Sequence, residues 1–353
     1  MKKIVAIICV VVIAMAGFAA CGGNGDNGGA GGGGGGFAED ETIRLRIANN
    51  AAEAFHMNRA MMYFGNILET EGNFIVELYP GGQLGMYPEL LSSILFGDVE
   101  LVVTPTVNLV DFVPEIAFIE MPFVFASREV AFATLKGPWG QYVSERLSAS
   151  GYYNLGFLEN GLRHLTNNVR PVTEPAHLSG LRLRTMPVMT HVYFWQSLGA
   201  SAEGSPFPEL YTNLATGVFD GQENPIAHIY SSRFYEVQAH MSLTGHVFSP
   251  YAGIMAEDFV NALTDSQLAL IKYAWDRAFV YQQAMIQREE SGQLEHIQSN
   301  SAFPTEVTVL TPAQIQVFMD AATPTHEHFM EEVGRAEWDA FQQAVRDAEN
   351  SVN

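Results

Sequence analysis

The sequence predicts an α/β protein of two domains, and three observations carry that prediction. Short apolar runs of period two alternate with runs of helical period along most of the chain, the pattern of strands laid against helices. One helical run, starting near Thr264, continues for roughly 25 to 30 residues and spans about 40 Å at 1.5 Å per residue, enough to cross from one domain to another. The chain has 353 residues, 48% of them hydrophobic, which suffices for two cores of ordinary size.

Ile43, Leu45 and Ile47 alternate with Arg44 and Arg46 in a first strand. Asn49 to His56 form a polar loop entering a helix whose apolar face carries Met57, Met61, Phe64 and Leu68, with Gly72 as its stop. Phe74 to Tyr79 is a second strand, closed by the turn Pro80-Gly81-Gly82-Gln83-Leu84-Gly85, so the body opens with a βαβ unit. Tyr87 to Phe96 reads as a short helix ended by Gly97, and Val99 to Thr104 as a strand. After the apolar run Met121 to Phe125 comes a helix with Val130, Phe132 and Leu135. Gly137-Pro138 interrupts before another helix to about Ser150, and Tyr152 to Leu158 is again a strand. Leu181-Arg182-Leu183-Arg184 alternates apolar and basic, with both arginines on one face. Pro208 to Ala215 reads as a short helix with Gly217 as its stop. Val218-Phe219 reads as a strand running into a polar turn, Asp220 to Pro225, and such turns are where α/β folds put ligand contacts. The segment His246 to Ala256 precedes the long helix, which Thr264 and Gln267 open with capping-box spacing. Phe303 to Leu310 looks like a strand, and Thr311-Pro312-Ala313-Gln314 gives a second capping box with proline at the first helical position. Helices finish the chain.

Charge narrows the partners. The formal net charge is −21, so nucleic acid is excluded as a partner by repulsion over most of the surface, and an anion can bind only where the few arginines concentrate. Residues 1–20 read as a signal peptide: Lys2 and Lys3 are the positive region, Ile4 to Ala16 the apolar core, and Phe18-Ala19-Ala20-Cys21 a cleavage site ending in cysteine. The pattern resembles a bacterial lipoprotein signal, with Cys21 as the lipidated residue that anchors the protein to the membrane. The glycine-rich stretch that follows, within 21–40, cannot bury a core and reads as a tether. Cys9 lies inside the signal, so Cys21 is alone in the processed chain and no disulfide, cysteine nucleophile or cysteine metal site is expected.

The order Leu181 to Arg184, Leu198-Gly199-Ala200, Phe207-Pro208-Glu209-Leu210-Tyr211 and Asp220 to Pro225 resembles the solute receptors of tripartite ATP-independent periplasmic (TRAP) transporters, the dicarboxylate-receptor-like family. The turn at Pro80 to Gly85 and the segments Phe234 to Gln238 and Leu243 to His246 are similar to it as well. The resemblance implies a two-domain periplasmic-binding-protein-like (type II) fold with an inter-domain cleft and a long helix spanning both domains. It places domain I at 41–160 plus 250–289 and domain II at 161–249 plus 290–353. It also implies an extracytoplasmic receptor that captures a small organic anion and delivers it to TRAP permease membrane subunits, with no cofactor and no metal.

Arg184 is the first candidate ligand contact, because a guanidinium offers a planar fork that fits a carboxylate, and in the family the arginine at its place clamps the substrate carboxylate. Arg163, in Asn160-Gly161-Leu162-Arg163-His164-Leu165-Thr166-Asn167, and Asn224, in Gln222-Glu223-Asn224-Pro225, occupy positions that face the ligand in the family. Phe207 can stack on the ligand or wall it in, and His56 matches a histidine common near the cleft. Gln83, Glu100 and Asn108 are expected to line the cleft from the first domain. Two other function classes stay open at this point: a secreted hydrolase or lyase acting on an organic acid, and a sensory input protein for a membrane kinase. HExxH, GxSxG and a phosphate-cradling glycine loop ahead of a helix are all absent from the sequence.

Overall fold

Alternation of buried and exposed residues sets the first sheet. In the computed structural model, which describes residues 36–352, Ile43, Leu45 and Ile47 point into a core while Arg44 is exposed, giving β1 (Ile43–Ala48). The signal segment 1–20, Cys21 and the stretch to Gly35 lie outside the described residues. The other strands are β2 (Phe74–Tyr79), β3 (Leu101–Pro105), β4 (Tyr152–Asn167), β5 (Arg182–Thr185), β6 (Ser201–Gly204), β7 (Gly221–Pro225), β8 (His240–Leu243), β9 (Phe248–Ala256) and β10 (Glu306–Val309).

In the first sheet β2, β1 and β3 are parallel, and β9 runs antiparallel between β3 and β4. In the second, β7, β5 and β6 are parallel, β4 pairs antiparallel with β7 and β8, and β10 lies parallel to β8. β4 belongs to both. Its residues from Tyr152 to Leu162 bond to β9, and those from Arg163 to Asn167 bond to β7. The sequence predicts a strand only to Leu158. The strand continues because register shifts between Asn154 and Gly156 and between Glu159 and Gly161 bend it without ending its pairing.

Helices cover both faces of the first sheet. On β9, Ala252 and Ile254 pack into one core with Val102, Phe118 and Trp139. Tyr251 and Met255 pack into the other with Leu45, Phe64 and Trp275. The long helix is Asp265–Ser299, 35 residues or about 52 Å, longer than its apolar pattern predicts. Thr264 accepts from the Gln267 N–H and Gln267 caps back to Thr264, as the spacing requires. The helix buries Ile271, Trp275 and Met285 with the first sheet, and Ile297 in a separate core with Leu210, Leu214 and Phe234. It therefore braces both sheets.

Trp275 fixes the long helix against the sheet through glycine. A Cβ on Gly253 would lie 2.3 Å from the Trp275 ring, and one on Gly156, its β-ladder partner, 2.6 Å from the indole nitrogen. Gly253→Ala must therefore displace a buried indole. A loss of about 1–3 kcal/mol is expected, read as a lower urea midpoint; an unchanged midpoint would contradict this packing.

Candidate ligand-binding site

The site is built from strands around the point where β4 passes from β9 to β7. Asn160 and Arg163 come from β4, Arg184 from β5, Asn224 from β7 and Tyr251 from β9, and all five line one cavity of about 390 Å³. Its size is that of a small-molecule site. Both sheets contribute, since Pro105 ends β3 in the first and Val107 and Asn108 follow it.

The polar run Asp220 to Pro225, predicted as a turn, is largely a strand. β7 is Gly221–Pro225, and every residue of it is buried. It tolerates burial because its polar groups are paired. Gln222 Nε2 donates to Thr166 Oγ1 at 2.8 Å, and the Glu223 carboxylate accepts from Arg163 Nη2 at 2.8 Å and from Arg163 Nε. Arg163 Nη2 also reaches Asn224 Oδ1 at 3.1 Å. Gly221 admits no Cβ, which would meet the Thr166 carbonyl oxygen at 2.3 Å.

Arg184 is 1% exposed. Its Nε donates to the Ser205 carbonyl at 2.8 Å, as does Nη2, and its Nη1 has no partner among the described residues. No carboxylate forms an ion pair with it among those residues. Burial, reinforced by the nearby Arg163 charge, pushes its pKa down to about 9, so it remains a cation at neutral pH. Arg182, on the same face of the strand, is exposed and paired with Asp220 at 2.5 Å. Arg163 is fully buried, and its Nη1 is likewise unpartnered. Two guanidiniums thus line the cavity, and the buried Glu223 carboxylate, which is not part of the lining, pairs with one of them, Arg163. A buried cation without a counter-charge is costly unless an anion meets it.

A buried network backs Glu223. His246 Nε2 lies 3.0 Å from its carboxylate and His246 Nδ1 2.7 Å from Thr244 Oγ1. Burial lowers the His246 pKa, so a neutral ring can donate to Glu223 and accept from the threonine. His191 stands between Glu120, at 3.3 Å, and Glu223, at 3.7 Å. Burial opposes a proton there, but the flanking carboxylates outweigh it and raise the His191 pKa. Burial would likewise raise the Glu223 pKa, yet the Arg163 charge and the facing histidines hold it well below the usual carboxylate range.

Of the residues predicted from sequence, Arg184, Arg163, Asn224, Phe207 and Asn108 line the cavity; His56, Gln83 and Glu100 do not. Phe207 sits with its ring centroid 6.0 Å from the Arg184 guanidinium. Glu100 precedes the N-terminal end of β3, whereas the cavity opens beyond its C-terminal end, about 16 Å along five residues of strand. Its carboxylate instead forks onto Arg46 at 2.6 and 3.0 Å. Gln83 is exposed on its turn. His56 is buried against the long helix, where its Nδ1 meets Gln282 Nε2 at 3.1 Å. Asn160, within the Arg163 segment but assigned no role from sequence, also lines the cavity, as does His228, one helical turn beyond Asn224. Tyr251 lines it too, and no local signal in the sequence marks it. His228 stacks on Phe55 at 3.8 Å and touches Tyr251 Oη at 3.3 Å.

Burial holds His228 neutral and pushes His56 down to about 3. For each, the unfolded chain binds a proton below about pH 6.5 that the folded chain refuses, so stability falls as pH drops, by up to about 1.4 kcal/mol per unit per histidine. His191 acts oppositely: its contribution is complete below about pH 6.5 and is lost as pH rises through its raised pKa. The depressed histidines dominate the acid side, so the urea midpoint is expected to be lower at pH 5 than at pH 7. Equal midpoints would count against neutral burial.

Among the described residues, no group of three His, Cys, Asp or Glu is placed to hold a metal ion, and no helix is long and apolar enough to cross a membrane. A family model described as bacterial extracellular solute-binding protein, family 7, matches residues 47–333. A relative from Verminephrobacter eiseniae, named a solute-binding protein, is 31% identical over 302 residues, 85% of this chain and 88% of its own. The 2,3-diketo-L-gulonate-binding periplasmic protein of Escherichia coli is 29% identical over 280 residues, 78% of this chain and 84% of its own. Among solved structures, a TRAP periplasmic solute binding protein from Polaromonas bound to D-erythronate is similar with TM-score 0.79 and 31% identity, over 85% of this chain and 98% of that one.

Proposed function

The chain belongs to the bacterial extracellular solute-binding proteins of family 7 and is a TRAP-type receptor, not an enzyme, and on that premise we propose that its cavity holds a small organic acid by the carboxylate, between Arg184 and Arg163. The observation that carries this reading is the Arg184 guanidinium: 1% exposed, on the cavity wall, with one nitrogen free and no carboxylate paired to it among the described residues. A ligand carboxylate supplies the missing negative charge and accepts from both free Nη1 groups, as charge-assisted bonds in a dry site. Asn224 is held by Arg163 at 3.1 Å and by Gln222, and so keeps that end of the cavity rigid. The relatives bind acids of this size, D-erythronate in the Polaromonas protein and diketogulonate in the E. coli one.

Two domains, 41–160 plus 250–289 and 161–249 plus 290–353, close on the ligand in this reading. The transfer of β4 from β9 to β7 beside Gly161 supports a hinge there. The loaded receptor passes its ligand to the membrane subunits of a TRAP permease, and lipid on Cys21 keeps it at the membrane. Calorimetric titration with organic acids and their primary amides tests the capture step. The acid is expected to bind and to be recovered unchanged, and the amide to fail; equal binding by both overturns the reading. Cys21→Ser is expected to release the protein from the membrane fraction, and a variant still retained there rules out the anchor.

A further inference from the structure

We infer that the ligand is a monocarboxylate with an apolar tail and at most two or three hydroxyls, such as a 2-hydroxy acid carrying a phenyl or branched aliphatic group, and neither a dicarboxylate nor a sugar acid with four or five hydroxyls. This rests on the acid-capture reading above and extends it from the carboxylate to the rest of the molecule.

Arg163 and Arg184 are the only basic side chains of the lining apart from His228, and burial keeps His228 uncharged. One lining side chain is acidic, Glu89, contributed by the helix Tyr87–Leu95 that packs on the first sheet. A second carboxylate reaching away from the arginines therefore meets no cation on the lining; the exposed Glu89 carboxylate is itself engaged as a helix cap, accepting from the Met86 N–H at 3.0 Å.

Most neutral hydrogen-bonding groups of the lining are already engaged within the protein. Asn224 Nδ2 donates to Gln222 Oε1 at 2.5 Å, and Asn108 Nδ2 to Thr104 Oγ1 at 3.0 Å. Asn50 Nδ2 donates to the Gly85 carbonyl at 2.8 Å, and Tyr251 Oη is paired with His228. Two buried side-chain oxygens on the lining have no partner among the described residues, Asn50 Oδ1 and Asn160 Oδ1. The His228 Nδ1 is a third unpartnered buried atom on the lining, so the site can meet about two or three hydroxyls. An acid with four or five hydroxyls would bring more donors than the site can satisfy, and each donor stripped of water without a replacement is penalised.

The rest of the wall is carbon. Met86, Pro105, Val107, Met186 and Phe207 present it, and Phe207 is itself packed against His228 at 4.8 Å and Phe234 at 5.7 Å. A phenyl or branched aliphatic tail fills such a wall without leaving a polar group unsatisfied.

The test is calorimetric titration of the purified protein with 3-phenyllactate, 2-hydroxyisocaproate, 3-phenylpropionate, succinate and D-galactonate. At least one of the two apolar hydroxy acids is expected to bind about tenfold or more tighter than succinate and galactonate. 3-Phenylpropionate, which lacks the hydroxyl, is expected to bind about tenfold more weakly than 3-phenyllactate, because a site oxygen is then left unpaired. Asn160→Leu, checked for an unchanged thermal midpoint, should narrow that gap. Succinate or galactonate binding as tightly as the hydroxy acids overturns the inference. If Arg184→Ala then abolishes binding of the preferred acid, carboxylate capture stands and only the tail assignment fails. If Arg184→Ala leaves affinity unchanged, capture itself fails. No binding by any probe at millimolar concentration overturns both.

Discussion

Alanine at position 184 is expected to weaken acid binding by about 2–5 kcal/mol, or roughly 30-fold to several thousand-fold, the range for losing one partner of a buried charge pair. The receptor without ligand should barely notice. Removing an uncompensated buried cation relieves a desolvation penalty, while the Ser205 carbonyl loses its donor, and the two effects oppose each other. The thermal midpoint of the free protein should therefore stay near that of the wild type, and the rise that a saturating acid produces should vanish. Arg184→Lys keeps the charge without the planar fork and is expected to fall between the two. Calorimetry decides it: wild-type affinity in the alanine variant would remove Arg184 from the site.

Glu223→Gln is expected to do the reverse, damaging the fold by about 3–5 kcal/mol. Glu223 is fully buried and faces Arg163, His191 and His246, so neutralising it strands a buried guanidinium. The pH dependence identifies the cause. The folded pKa of Glu223 is depressed, so its contribution is fully present above about pH 4.5 and is lost as pH falls toward the folded value. The gap in urea midpoint between wild type and Glu223→Gln should be widest near neutrality and shrink below pH 4.5. A paired replacement, Arg163→Met with Glu223→Leu, should recover much of the stability, because two apolar side chains leave no charge stranded. Wild-type stability in Glu223→Gln would mean that the network contributes nothing to folding.

These two positions also mark how far the sequence can be read. The basic alternation at Arg182 and Arg184 is visible as a strand with both arginines on one face. The consequence is not: Arg182 is solvated on Asp220 and Arg184 is sealed in a cavity. Only the packing around them separates two residues with the same local pattern. β7 shows the same limit from the other side. Gly-Gln-Glu-Asn-Pro has the composition of a turn, and propensity rules read it so. Its partners, Thr166 and Arg163, are more than fifty residues away in sequence, and a buried polar strand becomes stable only when they arrive. Glu100 and His56 fail for a related reason. Their neighbourhoods in sequence fit the expected pattern, but strand direction carries Glu100 to the wrong end of β3, and helix packing turns His56 toward Gln282.

The elements themselves, their caps and their stops were determined locally: period-two alternation for β1 and β2, the Thr264 and Thr311 capping boxes, the family pattern around Arg184. Backbone hydrogen bonding and side-chain periodicity act over a few residues, and a few residues are what a sequence displays side by side. The tertiary structure alone decided which charges lost their water and which found a partner, and hence which arginine is left wanting an anion. Desolvation depends on everything that packs around a group, and for Arg163 and Arg184 that includes strands from four separate stretches of the chain.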